Sequence, residues 1–77
     1  MTDIVELDVC GLEPPEPLER VMEALSRLQP QQRLRMLIDR EPLPLYRILA
    51  NNGYAHQTSS LPDYRYEILI WKVPQGG

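Results

Sequence analysis

Apolar and polar residues alternate from Ile4 to Val9. Val5, Leu7 and Val9 fall on one side, and Ile4, Glu6 and Asp8 on the other, the period-2 pattern of a half-buried strand. Gly11 breaks the alternation. A helical period follows, with Leu18, Val21, Met22, Leu25 and Leu28 forming one apolar stripe. The helix opens near Pro15 to Pro17, since proline suits a first turn where its missing N–H has no partner to lose. Glu13, Glu16 and Glu19 crowd the positive end of its dipole. Glu16–Arg20 and Glu23–Arg27 have the i,i+4 spacing of surface ion pairs. Gln29-Pro30-Gln31-Gln32 ends the helix.

Alternation resumes at Arg33–Asp39, with Leu34, Met36 and Ile38 on one face and Arg33, Arg35 and Leu37 on the other. A strand, a helix and a second strand make a βαβ unit, which predicts parallel strands and a right-handed crossover. Asp39-Arg40-Glu41-Pro42-Leu43-Pro44 is a second proline-rich elbow. A short helix follows, with Leu45, Ile48 and Leu49 on its apolar side and Tyr46 at its edge. Asn51-Asn52-Gly53 stops it. Tyr54–Thr58 reads as a weak edge strand and Leu61-Pro62-Asp63 as a turn. Arg65–Val73 is the strongest strand, with Tyr66, Ile68 and Ile70 opposite Leu69, Trp71 and Val73. The order is βαβαββ, an α+β fold built as a two-layer α/β sandwich, with both helices on one sheet face and the other face open.

Length and composition narrow this picture. Seventy-seven residues make one domain, 1–77, with residues 74–77 expected as a disordered tail. A chain of this size buries only about 60–65% of its unfolded surface, so the core is thin. Eleven acidic against eight basic residues give a net charge of −3, without the basic footprint of a nucleic-acid binder or an anionic-membrane binder. Ile68–Trp71 is the longest apolar run, far short of a membrane span. A single cysteine allows no internal disulfide, and the N-terminus lacks a basic-then-apolar leader pattern. These features predict a cytoplasmic protein.

The first elbow, Leu7-Asp8 … Gly11-Leu12 … Pro15-Glu16-Pro17, resembles that of the TusA/SirA-like family of small bacterial proteins, and the resemblance runs from Ile4 to about Val73. It implies a four-stranded mixed sheet of order 1-2-4-3 with the last strand antiparallel to the rest. The family's best-known members carry a persulfide on a motif cysteine in L-x-C-P-x-P and pass the sulfur onward. Gly11, Leu12, Pro15 and Pro17 match that motif, and Pro14 occupies the cysteine position. Proline has no thiol, so the sulfur-carrying role does not transfer through that residue. The chain looks like a divergent branch lacking the motif cysteine.

Four candidate chemistries remain. Cys10 lies four residues before the motif position and is the thiol of a sulfur- or redox-carrier alternative, although Glu13 and Glu16 oppose thiolate formation there. Asp8 and Asp39 end parallel strands, where α/β sheets commonly bind ligands. With Glu41 and His56 they offer a metal or acid–base set, against which stands their role as turn and cap residues and the absence of any HxxxH, ExxH or CxxC spacing. A binding elbow of Gly11, Glu13, Pro14, Pro15, Pro17, Asp39 and Glu41 forms where the two proline stretches share an edge. The open sheet face, with Arg33, Arg35, Leu37, Leu69 and Trp71 beside Ile4 and Glu67, has the aromatic, aliphatic and arginine makeup of a protein contact, the partner being another protein or a second copy. The expectation is a non-enzymatic protein- or ligand-binding adaptor with no cofactor and no metal.

Overall fold

The computed structural model describes residues 3–74. The elements are β1 (Asp3–Asp8), α1 (Glu16–Ser26), β2 (Gln32–Ile38), α2 (Leu43–Asn51), β3 (Tyr54–Ser60) and β4 (Tyr66–Lys72). They form one sheet of order β1-β2-β4-β3. β1 and β2 are parallel, while β4 runs antiparallel to both β2 and β3. The α+β sandwich and its sheet order are therefore as the pattern and the resemblance imply. The expected tail falls at Pro74, exposed and outside any element, and at residues 75–77, which lie outside the described residues.

One face of the sheet makes the core. Leu34, Met36 and Ile38 of β2 and Ile68 and Ile70 of β4 are buried against Val21 and Leu25 of α1 and Leu45 and Leu49 of α2. Burying each such side chain contributes about 1.5–3 kcal/mol. β1 is filled unevenly. Val5, expected to point inward, remains exposed; Leu7 is half-buried and Val9 fully buried. The helix layer lies along β2 and β3, so the core reaches β1 only where the chain turns into the first elbow.

Local chemistry explains the element ends. Neither helix has a side-chain cap, and each carries proline in its first two positions. α1 starts with Glu16 and Glu19 in its first turn. Of the two i,i+4 pairs, Glu23–Arg27 closes at 3.3 Å. Glu16–Arg20 is not among the ion pairs of the described residues, because an attraction worth a few tenths of a kcal/mol does not fix two long exposed side chains in one geometry. Gly53 ends α2 with φ +80, a left-handed turn that glycine adopts without a Cβ clash. Its carbonyl then accepts from the Val73 N–H at 2.9 Å. β3 is longer than its composition suggests. It pairs with β4 at every position from Tyr54 to Ser60, so cross-strand bonds supply what polar Gln57, Ser59 and Ser60 lack in burial. The β3–β4 connection is held by Leu61 N–H donating to the Arg65 carbonyl at 2.8 Å, with Tyr64 at φ +66.

Candidate functional site: two proline elbows and an open sheet face

The elbow after β1 and the elbow after β2 lie side by side because their strands are parallel neighbours. Val9 N–H donates to the Leu37 carbonyl at 2.9 Å, continuing the ladder past the end of β1. Gly11 turns at φ +81, and its N–H donates to Asp39 Oδ2 at 3.0 Å. Asp39 thus ties the second elbow to the first. Asp8 folds back on the same turn, accepting from the Cys10 N–H at 2.9 Å. That backbone bond is the main reason the Asp8 carboxyl sits below its ordinary pKa. Both aspartates that end the parallel strands are therefore engaged in holding the turn.

Between the elbows is a cleft of about 340 Å³. Prolines line it from both sides, Pro14, Pro15 and Pro17 from one elbow and Pro42 and Pro44 from the other, with Leu12, Leu18, Val21, Ile38 and Leu45 beneath. Asp39, Arg40 and Glu41 form the polar part of its border. Proline carries no N–H, and two of the donors beside the prolines are already engaged: Glu16 N–H with the Glu13 carbonyl, Leu45 N–H with the Pro42 carbonyl. The cleft has the size of small-ligand pockets and an almost wholly apolar wall. Its five prolines have no N–H to offer an anion, unlike a helix N-terminus that holds a phosphate.

Of the expected elbow residues, the structure brings Pro14, Pro15, Pro17, Asp39 and Glu41 to the cleft. Gly11 acts through the Asp39 bond, and Glu13 is exposed and contributes its carbonyl to the start of α1. Across the Asp39–Glu41 ridge lies a second, polar groove lined by Ser60, Leu61, Tyr64, Arg65 and Tyr66. Arg65 pairs with Asp63 at 2.6 Å and neighbours the Cys10 thiol. Burial first, then Asp8, pushes that thiol above its ordinary pKa, although Arg65 acts in the opposite direction. Half-burial and the neighbouring Asp8 thus both disfavour the Cys10 thiolate.

The proposed cluster of Asp39, Glu41 and His56 does not assemble. Among the described residues, no three His, Cys, Asp or Glu side chains come together as metal ligands. His56 instead stacks flat on Tyr46, with ring centroids 4.3 Å apart and planes 4° from parallel. The Tyr46 hydroxyl donates to Glu41 Oε2 at 3.2 Å and shares a hydrogen bond with Thr58 Oγ1 at 2.7 Å. Burial chiefly raises the Tyr46 pKa; the Thr58 bond lowers it, and Glu41 raises it further. The period-2 reading of β3 places His56 and Thr58 on one face, but only the β3–α2 contact shows that this face meets Tyr46.

The open face is three registered rows: Ile4, Arg33, Trp71, Ala55; Glu6, Arg35, Leu69, Gln57; and Asp8, Leu37, Glu67, Ser59. Arg35 sits at its middle and bridges Glu6 on β1, at 3.3 Å, to Glu67 on β4, at 2.9 Å. The Arg33 guanidinium lies 4.6 Å from the centre of the Trp71 ring system, a cation–π contact. Leu37, Leu69 and Trp71 are half-buried under these arginines, and Ile4 is 48% exposed. All five residues expected on this face are there.

No helix among the described residues is long and apolar enough to cross a membrane. No curated protein and no solved structure matches the chain. A family model described as "Uncharacterized conserved protein (DUF2249)" matches residues 6–72, which takes in both elbows, both helices and most of the four strands. The chain is a member of the DUF2249 family.

Proposed function

We propose that this domain is a non-catalytic binding module whose cleft between the two proline elbows takes an uncharged apolar group, from a small ligand or from a side chain of a partner protein. The observation that carries the reading is the cleft itself: about 340 Å³, walled by five prolines and floored by leucine, valine and isoleucine. Prolines cost little entropy to hold in place, so such a wall is preorganised for binding. The sheet order and the Gly11-Leu12 … Pro15-Glu16-Pro17 elbow support a TusA-like relationship. With Pro14 where that family has its cysteine, the shared feature is the shape of the elbow and not its sulfur chemistry. The raised Cys10 pKa weighs against the displaced-thiol carrier. A single half-buried thiol and an acidic charge balance suit a reducing cytoplasm.

The test is a titration of the isotopically labelled chain with indole, a flat, nearly uncharged probe, followed by amide chemical shifts. Saturable shifts at Leu12, Leu18, Val21 and Leu45, with the β3–β4 turn unmoved, are expected. Leu18→Gln, at the half-buried lining, should abolish them. Shifts that do not saturate, or that map elsewhere, refute the reading.

A further inference from the structure

The cleft between the elbows is apolar except along one border, made by Asp39, Arg40 and Glu41. Two carboxylates on that border are held in place without being neutralised. Asp39 Oδ2 accepts the Gly11 N–H at 3.0 Å, and Glu41 Oε2 accepts the Tyr46 hydroxyl at 3.2 Å. Both donors are uncharged, so neither bond cancels the negative charge. The second oxygen of each, Asp39 Oδ1 and Glu41 Oε1, has no hydrogen-bond donor among the described residues. The ion pairs of the described residues join Arg27 to Glu23, Arg35 to Glu6 and Glu67, and Arg65 to Asp63, and none involves Asp39, Arg40 or Glu41. Glu13 and Glu16, next to the lining prolines in sequence, are outside these pairs as well. The two elbows thus set four acids against Arg40, the one cation of the lining.

We infer that the cleft's ligand is a small organic cation, with an apolar body seated between the prolines and an ammonium group at the border facing Asp39 and Glu41. This rests on the cleft being a binding site and adds the charge of what enters it. An ammonium has three donors and no acceptor, which answers carboxylates whose free oxygens await a donor. An anionic head meets the opposite: no proline N–H to bind it and an acidic surround. A peptide segment fits less well. Its backbone presents a carbonyl at every residue, and walls of proline have no N–H for those carbonyls. A volume of about 340 Å³ is at the lower end of small-ligand pockets.

Exposure sets the strength. Asp39 and Glu41 are both exposed, so each contact with the ammonium is of the weak surface kind and is screened by salt. Two such contacts, opposed in part by Arg40, make a cation bind about five-fold more tightly than the same body without charge.

The test titrates the isotopically labelled full chain, at low salt, with three probes that share one apolar body. Indole is uncharged, tryptamine adds an alkylamine that is protonated at neutral pH, and indole-3-propionate adds a carboxylate on a chain of similar length. Amide chemical shifts give the three dissociation constants. Tryptamine should bind about five-fold more tightly than indole, and indole-3-propionate more weakly than either. In about 1 M salt, where the screening length falls to about 3 Å, the order should collapse to near equality. Glu41→Gln, which keeps an oxygen for the Tyr46 hydroxyl, should bring tryptamine to within about two-fold of indole, and Arg40→Ala should widen the gap. Equal affinity for tryptamine and indole-3-propionate, or tighter binding of the anion, overturns the inference and leaves the apolar cleft standing as a site. Saturable shifts with none of the three probes overturn both.

Discussion

Asp39 ends β2 at the place where a catalytic or metal-binding carboxylate would be sought, yet its visible role is to accept the Gly11 N–H across 28 residues of sequence. Substitution separates the two roles. Asp39→Ala removes the acceptor and leaves Gly11, held at φ +81, without its partner. A hydrogen bond to a charged group contributes about 1.5–3 kcal/mol, and because this one is exposed and water can replace it, the lower value of about 1.5 kcal/mol applies. Asp39→Asn keeps an oxygen that can accept the same N–H and loses only the charge, so its cost should be nearer 0.5 kcal/mol. For a domain of this size, each kcal/mol moves the melting temperature by roughly 4–8 °C. Asp39→Ala should therefore melt about 6–12 °C lower, and Asp39→Asn about 2–4 °C lower. Urea unfolding followed by Trp71 fluorescence gives the free energies directly, and the slope with denaturant should be the same for all three proteins. Native-state exchange should show the Gly11 amide losing protection in Asp39→Ala more than in Asp39→Asn. Because the bond sets the spacing of the two elbows, Asp39→Ala should also weaken indole binding in the cleft. Equal stability of all three chains, or equal loss in Ala and Asn, would show that the elbows are held by something other than this bond.

Two further outcomes follow from the packing and the thiol. Leu49→Ala deletes a side chain with no exposure in the centre of the core. It should cost about 2–5 kcal/mol, a large part of the total stability of a domain this small, whereas Ile48→Ala on the half-buried flank should cost clearly less; thermal melts of the two order them. Cys10, held protonated by burial and Asp8, should react with iodoacetamide more slowly at neutral pH than an unstructured cysteine peptide, and catch up as the pH rises. Incubated with a cysteine desulfurase and cysteine, the chain should show no added sulfur by mass. A gain of one sulfur that Cys10→Ser abolishes would restore the carrier role.

Period-2 and period-3.6 patterns placed β2, β4 and both helices, because each of these buries one face and the burial writes itself into the order of residues. The half-buried flanks resisted that logic. Val5 belongs to the inward column of β1 yet stays exposed, since inward means buried only where a helix lies opposite. β3 is polar and reads short, but its length comes from pairing with β4, a property of the partner strand. Both elbows were legible from their prolines and glycine. That they face one another across a cleft follows from parallel pairing of β1 and β2, a long-range fact that single-residue preferences do not carry.

The order of residues alone established the fold class, the two elbows and the membership of the open face. It could do so because these depend on residue type and local period. Tertiary structure alone decided how the polar residues are used. His56 became a stacking partner of Tyr46, Glu41 an acceptor for the same tyrosine, Asp39 a clasp between the elbows, and Arg35 a bridge between two edges of one face. Each of these roles depends on which side chain arrives within about 3–4 Å of another, and directional contacts of that range are set by strand register and helix placement, which leave no period in the chain.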